Sequence, residues 1–132
     1  MTGHQQNPTT GYTIKGDPTA AVDLEALCHA VGIPRVRVVD PHDLAEAEKT
    51  VREEIAVDQP SVIIARRPCA LLKYVKHNPP LKVNRDKCKS CKACLKVGCP
   101  AISFKDGKAV IDETQCVGCS LCKQMCKFGC IE

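Results

Sequence analysis

Between residues 88 and 126 the chain carries eight cysteines in an arrangement that leaves little room for an ordinary apolar core. Cys88, Cys91 and Cys94 follow C-x2-C-x2-C spacing, and Cys116, Cys119 and Cys122 repeat it. One further cysteine follows each trio: Cys99, directly before Pro100, and Cys126. Three thiols in so short a loop are too dense for an ordinary structural zinc site, whose ligands come as pairs from separated segments. They suit three corners of an iron–sulfur cube, with a remote fourth cysteine supplying the last. Because the pattern occurs twice in one small segment, coincidence is a poor explanation.

The trios are offset by 28 residues and the remote cysteines by 27, so the chain from Leu81 onward is a degenerate internal repeat. Where two clusters share this motif, the remote cysteine serves the other trio. The spacing therefore predicts one [4Fe-4S] cluster on Cys88, Cys91, Cys94 and Cys126, and a second on Cys116, Cys119, Cys122 and Cys99. Between the halves, residues 101–104 and 109–112 flank Asp106-Gly107 and read as a β-hairpin. A unit of roughly 50 residues buries too little to fold unaided, so its clusters should act as its core. Two details depart from the common run. Four residues separate Cys94 from Cys99 where three are usual, and Gly98 can absorb the extra one. Lys127 stands where proline usually follows, with Cys130 nearby; the expected spacing makes Cys126 the ligand and leaves Cys130 a spare thiol beside a cluster. A three-iron cluster or a pair of zinc ions are the alternatives.

Eleven cysteines would suit a disulfide framework in a secreted protein, but the number is odd and the polar start lacks a signal-peptide pattern. Metal-bound thiolates in a reducing cytoplasm are the better expectation. No apolar run approaches the ~20 residues of a membrane helix. Residues 81–132 hold ten Lys/Arg against five Asp/Glu, whereas residues 1–80 hold nine against ten. The basic residues of the tail are interleaved with the cysteines, as at Lys87, Lys89, Lys92, Lys96, Lys123 and Lys127. Compensation of cluster charge explains them better than a nucleic-acid surface, and docking of an acidic electron-transfer partner is compatible with it.

The first part reads differently. Turn signals fill residues 1–20. A helix is expected over Asp23–Val31, with Leu24, Leu27, Cys28 and Val31 on one face and Gly32 as its stop. Pro34–Val39 alternates as a strand, and Asp40-Pro41 opens a helix to Val57 that puts Leu44, Ala47, Val51 and Ile55 on its apolar face. Ser61–Ala65 is a short apolar strand suited to a buried parallel sheet. Arg66–Leu72 should leave the sheet as a short turn of helix, and His77-Asn78-Pro79-Pro80 reads as a linker. Cys28 is expected in the core and Cys69 near the domain junction. Helix, strand, helix, strand is the rhythm of a parallel α/β sheet, but two strands make a poor domain on their own. The fold class is thus an α/β fragment, residues 1–78, followed by an α+β two-cluster domain, residues 79–132.

Met1-Thr2-Gly3-His4-Gln5, Val22–Leu27, the run Ser61–Leu72 with its Arg66-Arg67-Pro68-Cys69, and the cluster run ending Gly98-Cys99-Pro100-Ala101-Ile102 together resemble one family. It is the large (alpha) subunit of indolepyruvate ferredoxin oxidoreductase, and the likeness falls at that subunit's C-terminal end. The resemblance implies that residues 1–78 are the end of a parallel-sheet thiamine-diphosphate-binding domain and that the tail is a bacterial-type two-[4Fe-4S] ferredoxin domain. It also implies a role in oxidative decarboxylation of arylpyruvates, with CoA taking the acyl group and electrons leaving singly for an external ferredoxin. Thiamine diphosphate and Mg2+ belong only to the complete subunit, because the family's Gly-Asp-Gly motif is absent from this sequence. Thr2–Gln5 are then either neighbours of the pyrophosphate or a plain surface loop. The expected partners are the remainder of the alpha subunit or a protein supplying it, a smaller beta subunit and ferredoxin, with no nucleic acid and no membrane. The competing expectation is a free-standing two-cluster electron carrier with an α/β docking extension.

Overall fold

The computed structural model describes residues 7–72 and 74–132. Thr2–Gln5, set beside the pyrophosphate by the resemblance, lie outside these. Two compact units divide the chain, Met1–Val75 and Lys76–Glu132.

In the first unit, Asp23 caps α1 (Leu24–Ala30) by accepting the N–H groups of Glu25 and Ala26. β1 (Arg35–Val39) and β2 (Ser61–Ala65) pair in parallel, with Arg35 opposite Ser61 and Val39 opposite Ala65. Between them α2 (Leu44–Ile55) makes the crossover such a pair requires. It begins later than the sequence suggests. Asp40 closes a turn by accepting from the His42 N–H at 2.8 Å, and Asp43, not Asp40, is the cap, taking the Glu46 N–H at 3.1 Å. The buried face also differs from the expected stripe. Thr50 and Glu54 are buried, whereas Val51 and Ile55 are 42% and 79% exposed. The cause is Arg35 on β1, whose guanidinium holds both oxygens of Glu54 at 2.8 and 2.9 Å and turns that side of α2 onto the sheet. On α1 no residue is buried, and Leu27 and Val31 are largely exposed. β2, expected to be buried, is only half-buried, since two strands cannot cover one another. Residues 66–69 are irregular and residues 70–72 turn, with no helix, and Cys69 is exposed rather than packed.

In the second unit, β3 (Ile102–Lys105) and β4 (Lys108–Ile111) form the expected hairpin. Asp106 and Gly107 have φ of 49° and 73°, the left-handed pair that a two-residue turn needs. A 3-10 turn at Ala93–Val97 carries the last cysteine of the first trio, and α3 (Leu121–Gln124) carries the last of the second. A further antiparallel contact, unsignalled by local spacing, brings the end of the chain back. Val83 bridges Ile131, Lys82 and Glu132 exchange backbone bonds of 2.6 and 3.0 Å, and the Asn84 N–H donates to the Cys130 carbonyl at 2.8 Å. The core between the two ladders is small. Cys88, Cys94, Ala109, Cys122, Cys130 and Ile131 are its buried members. Four of those six are cysteines.

Candidate metal centres

Both ladders deliver a trio of cysteines by the same local route. Asn84 and Asp112 lie 28 residues apart. Each side-chain oxygen accepts the N–H two residues on, Asp86 at 3.1 Å and Thr114 at 2.9 Å. Each backbone carbonyl accepts the N–H of the first cysteine of its trio, Cys88 or Cys116, both at 3.1 Å. Inside the trios Ser90 and Lys92 have φ of 57° and 58°, and their counterparts Gly118 and Ser120 have 64° and 65°. Left-handed residues alternating with ordinary ones curl a loop so that successive N–H groups face its inside, a cradle for an anionic group. The sequence repeat of six cysteines is thus a backbone repeat as well.

The ladders also bring each remote segment toward one of the trios. The segment just after Cys99 becomes β3 and pairs with β4, the strand leading into Cys116. The segment just after Cys126 pairs with residues 82–84, which lead into Cys88. Accordingly, the thiolate charges acting on Cys94 are those of Cys126, Cys88 and Cys91, and those acting on Cys122 are Cys119, Cys116 and Cys99. Burial raises the pKa of Cys94, as do these neighbours; burial and the same kind of crowding push Cys122 to about 11. Like charges gathered out of water are unfavourable without a cation among them.

Several donors already face the sulfurs. The Ala109 and Ser90 N–H groups hold Cys88 below its ordinary range. Around Cys126 burial acts upward, but N–H groups of Cys130, Phe128 and Gly129 and the Cys130 thiol outweigh it, and the net shift is downward. The Leu81 N–H reaches Cys116 Sγ at 3.5 Å. Lys108 Nζ bonds the Cys88 carbonyl at 2.6 Å, and Lys92 Nζ lies 4.9 Å from the centre of the Phe104 ring. Lys108 on β4 and Lys92 within the first trio therefore brace that loop against the hairpin. Cys130 is not a bystander. It is 4% exposed, its Sγ lies 3.2 Å from Cys126 Sγ, and burial first, then Cys126 and Cys88, push it up to about 12.

Sequence reasoning expected loop N–H groups at the sulfurs and Cys130 beside a cluster, but not which amides these are nor that Cys130 touches Cys126. All eleven cysteines are free thiols. Among the described residues no three Cys, His, Asp or Glu side chains converge on a single-ion site. The residues present fit a larger, anionic, thiolate-bound group: four thiols on each side, left-handed cradles, and inward N–H donors. In the first unit a cavity of about 700 Å3 is bordered by Asn7, Thr9, Asp23, Arg66, Arg67 and Tyr74. Both its arginines are paired, Arg66 with Glu25 at 3.4 Å and Arg67 with Asp40 at 2.5 Å.

These features define a short parallel α/β unit and a cysteine-rich unit suited to iron–sulfur clusters. Residues 1–65 match the family of thiamine pyrophosphate enzyme C-terminal TPP binding domains, and residues 109–132 match the 4Fe-4S binding domain family. Over its whole length the chain is 40% identical to indolepyruvate oxidoreductase subunit IorA of Pyrococcus horikoshii, 33% to that of Methanothermobacter marburgensis and, over 96% of its length, 35% to that of Archaeoglobus fulgidus. The chain belongs to this family of indolepyruvate oxidoreductase subunits. It spans 21–22% of the length of these relatives. Among the described residues no helix is long and apolar enough to cross a membrane.

Proposed function

We propose that the chain carries electrons through two [4Fe-4S] clusters as part of an indolepyruvate ferredoxin oxidoreductase. Cys88, Cys91, Cys94 and Cys126 would hold one cluster and Cys116, Cys119, Cys122 and Cys99 the other. The reading is supported by the two ladders, which bring the segment after Cys99 beside the strand leading to Cys116 and the segment after Cys126 beside residues 82–84, which lead to Cys88. Such clusters supply one-electron storage at potentials set by charge, hydrogen bonds and exposure. The chain's own contribution is to hold the thiolates apart at fixed distances, turn N–H groups toward their sulfurs and keep water from the buried ones. Cys91 is exposed, which gives the first centre a face toward solvent and so toward an electron partner.

Residues 1–78 act as the end of a thiamine-diphosphate domain and residues 79–132 as the electron exit. The whole enzyme would oxidatively decarboxylate arylpyruvates to acyl-CoA and reduce an external ferredoxin, with thiamine diphosphate and Mg2+ held by the remainder of the alpha subunit and a smaller beta subunit completing the assembly. No step on thiamine is assigned to this chain.

Anaerobic reconstitution tests the cluster assignment. The expected protein is brown, binds about eight irons per chain and, on reduction, gives the EPR signature of two interacting four-iron centres. Cys126→Ala and Cys99→Ala should each perturb one centre only, and a different one. A colourless zinc protein, or a chain that saturates at about four irons, would reject the assignment.

A further inference from the structure

Cys130 has a place in the site that neither its spacing nor the cluster motif explains. Its sulfur is 3.2 Å from Cys126 Sγ, within reach of a shared proton. Cys126 belongs to the first centre. A cysteine that binds iron does so as thiolate and has no proton to give. The shared proton must then reside on Cys130, which makes that thiol the donor and the Cys126 sulfur the acceptor. Burial strengthens the arrangement: Cys130 is 4% exposed and the adjacent Ile131 is 1% exposed, so water hardly competes for the sulfurs.

The other half of the repeat lacks this donor. The Asn84 N–H bonds the carbonyl of Cys130 in one ladder, and the Asp112 N–H bonds the carbonyl of Ala101 in the other. Ala101 is likewise buried, at 2% exposure. Corresponding places thus hold a thiol on one side and a methyl on the other.

We propose that Cys130 is a positioning residue whose S–H donates to Cys126 and so raises the reduction potential of the first centre. The inference rests on the two-cluster reading above. Donation to a ligand sulfur draws electron density from the thiolate and favours the reduced, more negative state of the centre. Both centres could otherwise share similar loops and similar potentials; a donor on one side makes the pair unequal and gives electrons a preferred resting place.

The test is redox potentiometry followed by EPR on the anaerobically reconstituted full chain, comparing wild type, Cys130→Ala and Cys130→Ser. Alanine already occupies the equivalent place in the other ladder, so Cys130→Ala should fold and keep its iron. The expected result is about eight irons in all three proteins, a negative shift of one midpoint in Cys130→Ala, no shift of the other, and recovery toward wild type in Cys130→Ser. The inference is overturned if neither midpoint moves, if both move together, or if serine does not differ from alanine. Loss of iron with a three-iron signal in Cys130→Ala also overturns it, because Cys130 would then be a ligand. A wild-type chain without two four-iron signals removes the underlying reading itself, which separates that failure from the others.

Discussion

Ser90 and Gly118 occupy the same position of the repeat and the same left-handed conformation, yet only one of them can carry a side chain. Around Ser90 the space is open enough for its hydroxyl to donate to the Gly107 carbonyl at 2.5 Å. A Cβ on Gly118 would lie 2.7 Å from Asn78 Cβ and from the carbonyl oxygens of Asn78 and Pro79. Backbone cannot yield as a flexible side chain can, and a left-handed alanine adds ~1–2 kcal/mol of strain. Gly118→Ala should therefore displace residues 78–79 and loosen the second trio, with an expected loss of more than about 2 kcal/mol in stability. Iron per chain after reconstitution should fall toward about half, since only one trio is affected. Ser90→Gly should keep its full iron content. Equal iron contents in the two variants would show that the close approach at Gly118 does not shape the site.

α2 shows how an element can be located correctly and still be faced wrongly. Apolar spacing put Val51 and Ile55 inward, but a salt bridge reaching from β1 placed Thr50 and Glu54 there instead. Hydropathy periodicity carries no information about a charge pair formed between segments 19 residues apart. The pairing has a pH signature. Arg35, first by its hydrogen bond, holds the Glu54 carboxyl below its ordinary value of 4.5 against the opposing effect of burial. Since the folded-state pKa is depressed, the contribution is complete above the ordinary carboxylate range and is lost as pH falls through the depressed value. Arg35→Met leaves a buried carboxylate without its partner. Its expected effect is a Tm lower by several degrees at pH 7 and a gentler decline of Tm on acidification. A Tm that follows the wild-type curve from neutral to acid pH would refute the role assigned to this pair. The same ladder logic explains the hairpin's success: Asp106-Gly107 is a local signal, readable without knowing anything distant.

For the molecule as a whole, the two units depend on different sources of order. Helix α2 and the parallel pair are held by backbone bonds, caps and the Arg35–Glu54 pair. Residues 76–132 have a core made largely of thiols, so iron bound there contributes folding free energy directly. Hydrogen exchange should register the difference. Chelation of iron from the reconstituted chain is expected to abolish protection in β3, β4 and residues 82–84 and 130–132, while β1, β2 and α2 keep their wild-type rates. A uniform rise in exchange across both units, or none in the second, would contradict the assignment of the clusters as its core. The exposed faces of α1 and the half-buried β2 also belong to this scale, for an apolar stripe is recognisable in sequence whether or not the chain carries a surface to cover it.

The spacing of eight cysteines was enough to propose the chemistry, because thiolate ligation is a property of residue type and short-range loop geometry. It was enough too for the hairpin turn and, to within a residue or two, for α1, β1 and β2. What folding alone decided was detail: which amides face the sulfurs, which sulfur Cys130 touches, and why position 118 must be glycine. Each of those depends on backbone ladders closing between segments tens of residues apart, and such pairings leave no trace in local spacing.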